Sequence, residues 1–177
     1  ADGEYIAAGS EDDKVYFFNK DSSMPLWSYE TDGNVIDVAI SADGEYLVIG
    51  SQDDKIYLFV KDSSTPLWSY DTGNAYEISV AISSDGEYIT AGAKSEKVYL
   101  FGKDSSTPLW IHSAGTSIHH VDISEDGEYI AVGSNDYKAY LFGKANSNPL
   151  WSYTTGHQVN SIYISAEGKY IVAGSDD

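Results

Sequence analysis

The sequence predicts an all-β protein made by stacking copies of one antiparallel, four-stranded unit. Segments related to Asp-Gly-Glu-Tyr-Ile start at Asp2, Asp43, Asp85, Asp126 and Glu167, so the repeat is 41 or 42 residues long. The composition, with 14% aromatic residues and fifteen tyrosines, favours strands over helices. No segment has the apolar spacing of an amphipathic helix. A repeat of this length indicates a supersecondary unit that buries its apolar surface only against neighbouring copies.

The second copy shows how each strand of the unit is recognised, in order. Its four predicted strands are separated by polar or glycine-containing turns and cover residues 35–41, 46–51, 55–60 and 67–70. The third strand, Lys-Ile-Tyr-Leu-Phe-Val, is apolar on both faces, which predicts a sheet lying between two others. Pro66 precedes the fourth strand and marks it as an edge, because proline cannot donate to a β-ladder. Four short strands with the edge strand last predict the blade of a β-propeller.

The fourth strand of every unit carries a tryptophan and, two positions later, a tyrosine or histidine. The pairs are Trp27 and Tyr29, Trp68 and Tyr70, Trp110 and His112, and Trp151 and Tyr153. Residues two apart on a strand share a face. Because the pair recurs in every unit, we expect it to pack blade against blade rather than to form ligand pockets.

The chain is predicted to be a single β-propeller domain or half of one. The blade repeats are residues 1–33, 34–74, 75–115 and 116–156, followed by closing strands in residues 157–177. The first repeat lacks an inner strand, whereas the closing segment supplies an inner strand (159–165) and a second strand (168–175). We therefore expect the terminal inner strand to complete the first blade and to leave one duplicated second strand unpaired.

Two stretches of the second repeat resemble known propeller repeats. The segment VAISADGEYLVIGSQDDKIYLF is similar to the WD-repeat pattern, and KDSSTPLWSYDTG is similar to the closing strand of quinoprotein-type, PQQ-like repeats of prokaryotic proteins. The resemblance covers the whole chain and implies propeller architecture, which supports many unrelated functions. The chain departs from these families by lacking the Trp-Asp and Gly-His pairs of WD repeats. It also has no arginine and no recognisable quinone or calcium site.

The number of blades leaves three ways to arrange the ring. Four blade-equivalents close within one chain as a four-bladed ring, or two chains close an eight-bladed ring as a homodimer. In the third arrangement the chain is a fragment of a longer propeller. Because the resembled families usually have seven or eight blades per ring, we expect the eight-bladed homodimer in preference to the other two.

Charge and residue usage narrow the classes of function. The net charge is −18, with 28 acidic residues against ten lysines and no arginine, which argues against nucleic-acid binding. No apolar run approaches the roughly 18 residues that span a bilayer, so no membrane insertion is expected. The chain has no cysteine and no catalytic motif. We expect no catalytic residue, no metal site and no cofactor.

Variation between repeats points to one face of the propeller. The turn between the second and third strands and the link into the inner strand vary, whereas the other two connections barely change. Alternate connections of an up-and-down sheet emerge on the same side, so the variable connections define one face. We call this the variable face and its opposite the uniform face. The candidate binding residues on the variable face are Asn34, Asp37, Tyr76, Glu77, His119, His120, Asp122, His157, Asn160 and Tyr163.

The histidines of this set raise the question of a metal site. His119 and His120, with Asp122, start the third inner strand, and His157 is expected nearby. Adjacent residues of a strand point to opposite faces, so His119 and His120 should not reach one ion. We expect polar packing or partner contact instead. The repeats align Ile36, Ile78, His119 and Asn160 in one column, and the link before Ile78 is longer by one residue.

These observations predict a noncatalytic interaction module that binds a protein, peptide or glycan on the variable face. Two alternatives remain open at this point. One is a degenerate quinoprotein-like or lyase-like propeller enzyme, and the other is a structural repeat array of a cell envelope. The resemblance to repeats of prokaryotic surface proteins implies an extracellular or cell-surface setting.

Overall fold

The computed structural model describes residues 3–177, and the first two residues of the first repeat, Ala1 and Asp2, lie outside this range. The described residues form seventeen β-strands and no helix. The strands are β1 (Tyr5–Gly9), β2 (Lys14–Asn19), β3 (Trp27–Glu30), β4 (Val35–Ile40), β5 (Tyr46–Ser51), β6 (Lys55–Val60), β7 (Trp68–Asp71), β8 (Ile78–Ile82) and β9 (Tyr88–Ala93). They continue as β10 (Lys97–Gly102), β11 (Trp110–Ser113), β12 (Ile118–Ile123), β13 (Tyr129–Ser134), β14 (Lys138–Gly143), β15 (Pro149–Thr154), β16 (Val159–Ile164) and β17 (Ile171–Ser175).

The strands assemble into the antiparallel sheets that the repeat predicts. Three sheets of four strands have the orders β4-β5-β6-β7, β8-β9-β10-β11 and β12-β13-β14-β15, with every neighbouring pair antiparallel. A three-stranded sheet, β1-β2-β3, precedes them, and the β16-β17 hairpin follows. We refer to these five units as blades one to four and the terminal hairpin. The strand order from inner to outer edge confirms the predicted all-β, propeller-type architecture.

Burial follows position within a blade, as the sequence pattern requires. The middle strands β5 and β6 are buried along almost their whole length, on both faces. The outer strand β7 alternates half-buried and exposed residues. The difference arises because each middle strand has a blade on either side, whereas the outer strand lies at the rim.

The hydrophobic core is divided into one cluster per junction between neighbouring units. The cluster between blades two and three, for example, packs Ile56 and Leu58 against Ile78 and Phe101. Equivalent clusters join blades one and two, blades three and four, and blade four to the terminal hairpin. Each blade is therefore stabilised by its neighbours, as in other repeat architectures.

Two glycine positions let successive blades come close enough to form these clusters. A Cβ atom on Gly50 would lie 2.4 Å from the Ile78 carbonyl oxygen of the next inner strand. Gly86 has φ +72°, and a Cβ there would lie 2.4 Å from the ring of Tyr46 in the preceding blade. A larger residue at either position would push neighbouring sheets apart.

The tryptophan column packs between blades, which confirms the predicted role. The indole Nε1 of Trp68 donates a hydrogen bond of 2.7 Å to the Lys103 carbonyl of the next blade. Its ring lies 5.3 Å from that of Phe101, between centroids. Trp27 and Trp110 repeat the indole bond, and His112 occupies the tyrosine position with its ring 4.9 Å from that of Phe142. The fourth tryptophan, Trp151, is the exception, because no complete blade follows it, and it is 41% exposed.

The sheets do not close into a ring, and this corrects our expectation for the terminal strands. We expected the terminal inner strand to pair with the first blade. Instead β16 pairs with β17, with Ile162 opposite Ala173, and β17 is not left unpaired. Among residues 3–177 no ladder joins β16 to β1. The hairpin forms because β17 follows β16 after a short turn, so their pairing needs no long-range closure.

Candidate functional site

The variable connections lie together on one face of the molecule. The Asp54 carboxylate in the β5–β6 turn accepts hydrogen bonds of 2.8 Å from the Ala75 amide and 3.1 Å from the Tyr76 amide. In the preceding link, the Asp32 amide donates to the Asp53 carboxylate at 3.2 Å. The carboxylates of the β5–β6 turn therefore hold the variable links before and after this blade in place by accepting backbone hydrogen bonds.

The inner strands begin on this face with a β-bulge in three of the four cases. In β4 the ladder pairs Val35 with Ser51 and Asp37 with Gly50, so Ile36 is an extra residue. His119 of β12 and Asn160 of β16 are extra in the same way. A bulge leaves one residue unpaired and turns its side chain away from the regular alternation.

Strand β8 lacks the bulge, which corrects our alignment of the repeats. Ile78 pairs with Ala93 and so takes the position of Val35, not that of Ile36. The Glu77 carbonyl accepts a hydrogen bond from the Lys94 amide, just as the Asn34 carbonyl accepts one from the Gln52 amide in the second repeat. Glu77 is therefore the equivalent of Asn34, and the link before it is longer by two residues rather than one. The repeat is nevertheless longer by only one residue, because β8 lacks the extra bulge residue that the other inner strands have.

A cavity of about 220 Å³ opens between the starts of β4, β8 and β12 on the variable face. Its lining residues are Ile36, Asp37, Glu77, Ile78, Ser79, Ile118, His119 and His120. Four of the predicted residues, Asp37, Glu77, His119 and His120, are thus brought together. The isoleucines and Ser79 were not among the predicted residues, although the sequence places Ile36 and Ile78 in the same column as His119.

Both adjacent histidines line this cavity, and our expectation that they face opposite ways was wrong. The bulge lies between Ile118 and His120, so the strict alternation of side chains is interrupted at His119. His119 Nε2 lies 3.2 Å from the Asn135 amide oxygen. His120 Nδ1 lies 2.8 Å from the Ile162 carbonyl oxygen and 3.4 Å from the Ile162 amide nitrogen, and the shorter distance favours the tautomer in which Nδ1 donates to the carbonyl.

One column of inner-strand side chains ties each inner strand to the next. Asp37 accepts a hydrogen bond of 2.9 Å from the Val80 amide, and Ser79 accepts one of 3.3 Å from the Val121 amide. His120 makes the third link of this kind, to Ile162. Asp37 and His120 therefore support the cavity wall. Glu77 and His119 are the polar residues of the cavity outside this column.

Asp122 lies deeper and fixes the terminal hairpin. Its carboxylate accepts hydrogen bonds of 2.8 Å from the Ile164 amide and 2.9 Å from the Ile123 amide. Burial raises the pKa of this carboxyl above its ordinary value, while the two amide bonds act in the opposite direction. The neighbouring Tyr163 ring lies 5.0 Å from the His120 ring and is largely exposed.

The remaining predicted residues lie outside the cavity lining. His157 stacks on Tyr137 at 5.2 Å and lies 3.5 Å from the Asp176 carboxylate, so it does not join the other histidines. Asn160 donates a hydrogen bond of 2.6 Å to the same carboxylate. The Asn34 amide, oriented to satisfy its neighbours, donates to Asp13 at 3.0 Å.

Tyr76 occupies the tip of the longest variable link, beside the cavity residue Glu77. Its side chain is 70% exposed, and its φ of 37° lies in the left-handed region that bulky residues rarely adopt. Such strain at an exposed aromatic residue is typical of functional loops.

The described residues include neither a metal-binding cluster nor a membrane-spanning helix. Within residues 3–177, no three His, Cys, Asp or Glu side chains are grouped closely enough to hold a metal ion. In the same range, no helix is long and apolar enough to cross a membrane.

Strand order, junction chemistry and repeat length together define a β-propeller repeat protein. The family model described as outer membrane protein assembly factor BamB matches residues 1–117, and the model described as WD domain, G-beta repeat, matches residues 106–142 and 147–177. The chain therefore belongs to the BamB-like family of PQQ-like propeller repeats, with WD-type repeats in its second half. No curated protein matches it closely enough to serve as a relative.

Proposed function

We propose that this protein is a noncatalytic scaffold that binds a peptide segment of a partner protein on its variable face, with the cavity between the inner strands as the anchor. The single observation that carries the proposal is the cavity itself. It combines three isoleucines with Asp37, Glu77 and two histidines where three neighbouring inner strands begin on the variable face. Small apolar pockets with a few polar groups at their edge are the usual form of such sites.

The chemistry of the lining favours a particular kind of segment. Ile36, Ile78 and Ile118 offer a surface for one apolar side chain. The Glu77 carboxylate at the edge, already 2.5 Å from the Lys94 ammonium, favours a cation in its neighbourhood. We therefore expect a peptide in which an apolar residue stands next to lysine or arginine. The net charge of −18 would speed the approach of such a peptide. A protein segment fits this description better than a glycan, which lacks the cation.

Tyr76 extends the proposed surface beyond the cavity. An exposed tyrosine is favoured at interface centres because it offers a large contact area with few rotatable bonds. We expect it to cover the bound segment, since it precedes Glu77 on the same link.

Selection from a random peptide library provides the test. Peptides selected on the immobilised protein should be enriched in apolar-cationic pairs, and their affinities are then measured by fluorescence polarisation. Glu77→Lys and His119→Ala should each weaken binding at least tenfold, which is about 1.4 kcal/mol. Tyr76→Gly should weaken binding while leaving the free energy of unfolding unchanged or raised by about 1 kcal/mol, because glycine relieves the left-handed strain.

A charge-matched change on the uniform face is the control. Glu125 is exposed in the β12–β13 turn, and Glu125→Lys should change affinity less than twofold. Peptides that respond to Glu125→Lys and not to Glu77→Lys would contradict the proposal.

The family relation supports a cell-envelope setting for this binding. The matching family model is described as an outer membrane protein assembly factor. We propose that this chain also works in the envelope or at the cell surface. Fractionation of cells that express the tagged natural protein would test this location, and recovery with the cytoplasm would contradict it.

A further inference from the structure

The last complete blade exposes side chains that the other blades bury. Trp110 of blade three is 9% exposed, whereas its equivalent in blade four, Trp151, is 41% exposed. Tyr153, two residues further on, is 67% exposed. Both lie on the face that packs against a following blade elsewhere in the molecule, and the terminal hairpin has too few strands to cover them.

The interior junctions show what covers these side chains. Trp110 donates a hydrogen bond of 2.9 Å to the Lys144 carbonyl, and its ring lies 5.5 Å from the Phe142 ring of the next blade. Blade one carries the matching groups, because Phe18 pairs with Ile6 just as Phe142 pairs with Ile130. These groups face no preceding blade within the described residues, and Ile6 is 51% exposed.

The terminal hairpin also holds a near copy of the first strand. Residues 5–10 read Tyr-Ile-Ala-Ala-Gly-Ser and residues 170–175 read Tyr-Ile-Val-Ala-Gly-Ser. Strand β17 is mostly exposed, whereas the equivalent strands β5, β9 and β13 are almost wholly buried. The cause is the missing third strand, which in the complete blades covers this position.

We propose that two copies of this chain assemble head to tail, with β1 of one copy replacing β17 of the other beside β16. The exchange loses little, since the two strands present nearly the same side chains to β16. It gains the burial of Trp151 and Tyr153, because β1 brings β2 and β3 with it. It also gives the three-stranded blade one the inner strand it lacks. Two copies joined at both ends contain eight four-stranded blades, a number within the usual range for propellers.

The proposal concerns the ends of the blade series and is independent of peptide binding on the variable face. An exposed strand edge next to exposed aromatic residues is a known template for such pairing, and exchange of an identical element is a common route to dimers.

Engineered disulfides test the register directly, because the natural chain has no cysteine. Tyr163 pairs with Val172 in the hairpin, and Ala7 is the residue of β1 that aligns with Val172. Directly opposed residues place their Cβ atoms about 4.5–5.5 Å apart. The double variant Ala7→Cys, Tyr163→Cys should give a disulfide-linked dimer on a nonreducing gel after mild oxidation. The single variants should not.

Two outcomes of this experiment would overturn the proposal. A disulfide within one chain would show closure of a four-bladed ring. Complete intrachain crosslinking of Tyr163→Cys, Val172→Cys, with no crosslink in the Ala7 pair, would show that β17 keeps its place.

Light scattering on the 177-residue chain gives the second test. We expect a dimer, and Trp151→Glu should weaken it at least tenfold. The matched control Met24→Glu, at an exposed residue of the β2–β3 link, should leave it unchanged. Deleting residues 168–177 should preserve or strengthen the dimer, whereas deleting 158–177 should abolish it. A monomer at all concentrations, or a dimer insensitive to Trp151→Glu, would contradict the proposal.

Discussion

At the scale of single residues, each junction depends on a small set of side chains used again in the next blade. The tryptophan donates to a lysine carbonyl while its ring packs on a phenylalanine, as at Trp110. The ammonium group of this same lysine, Lys144, pairs with Glu128 and lies 4.5 Å from the centroid of the Tyr88 ring. Because these ion pairs are partly exposed, each contributes little, and the aromatic packing is the larger stabilising contribution.

Substituting one tryptophan tests this comparison. Trp110→Ala should lower the free energy of unfolding by about 3–5 kcal/mol, the range for large buried aromatic residues. The matched change Trp151→Ala should lower it by less than half as much in the monomer, because this indole is 41% exposed. Urea unfolding followed by circular dichroism gives both values. Equal losses at the two positions, in samples that light scattering shows to be monomeric, would contradict the assigned junction role.

At the scale of elements, a serine and an aspartate close the turn between the inner and second strands in blades two, three and four. Asp126 accepts hydrogen bonds of 2.6 Å from the Ser124 hydroxyl and 3.0 Å from the Glu128 amide. The hydrogen bond from the Ser124 hydroxyl is the main cause that lowers the pKa of the Asp126 carboxyl, and the bond from the Glu128 amide is the second. Ser41 and Asp43 form the same arrangement two blades earlier, with the same direction of pKa change.

The lowered pKa predicts how the turn contributes to stability as pH changes. The folded state binds fewer protons than the unfolded state, so this contribution is fully present above the unfolded value of about 3.9. It is lost as pH falls through the lower pKa of the folded state. Asp126→Asn should therefore reduce the dependence of unfolding free energy on pH in this acid range. Urea titrations at a series of pH values measure it, with Asp104→Asn, in the link before an outer strand, as the control. An unchanged slope would contradict the assignment.

The inner strands show what an element-level pattern does not predict. The β-branched run from Val35 predicts a strand but not its bulge, because the extra residue is decided by pairing with β5. The same is true at His119, whose side chain we expected on the face opposite to that of His120. Four of the predicted site residues line the cavity, and its three isoleucines were not among the predicted residues.

At the scale of the whole molecule, the net charge of −18 acts against the compact state. Like charges spread over one surface repel one another, and salt screens this repulsion. The Debye length falls from about 30 Å at 0.01 M salt to about 3 Å at 1 M. Most of the long-range repulsion should therefore disappear over this range.

We accordingly expect sodium chloride to stabilise the protein. Raising its concentration from about 0.01 M to about 1 M should increase Tm by several degrees, where about 2–4 °C corresponds to 1 kcal/mol for a chain of this size. Chloride is preferable to sulfate, which strengthens apolar burial by exclusion from the surface. Protein concentration is held constant, since assembly would shift Tm by mass action. A constant or falling Tm would show that charge repulsion is not a significant contribution.

The sequence by itself determined the blade. Its period, its alternating strands and its repeated Trp and Asp-Gly positions predicted strand number, strand order and the packing role of the tryptophans, since these follow from local periodicity and turn chemistry. The tertiary structure alone decided three things. It decided where bulges interrupt the inner strands, which residues lie together in one cavity, and that within one chain β16 pairs with β17 rather than with β1. These depend on contacts between residues far apart in sequence, and nearly identical segments such as residues 5–10 and 170–175 satisfy the same local rules equally well.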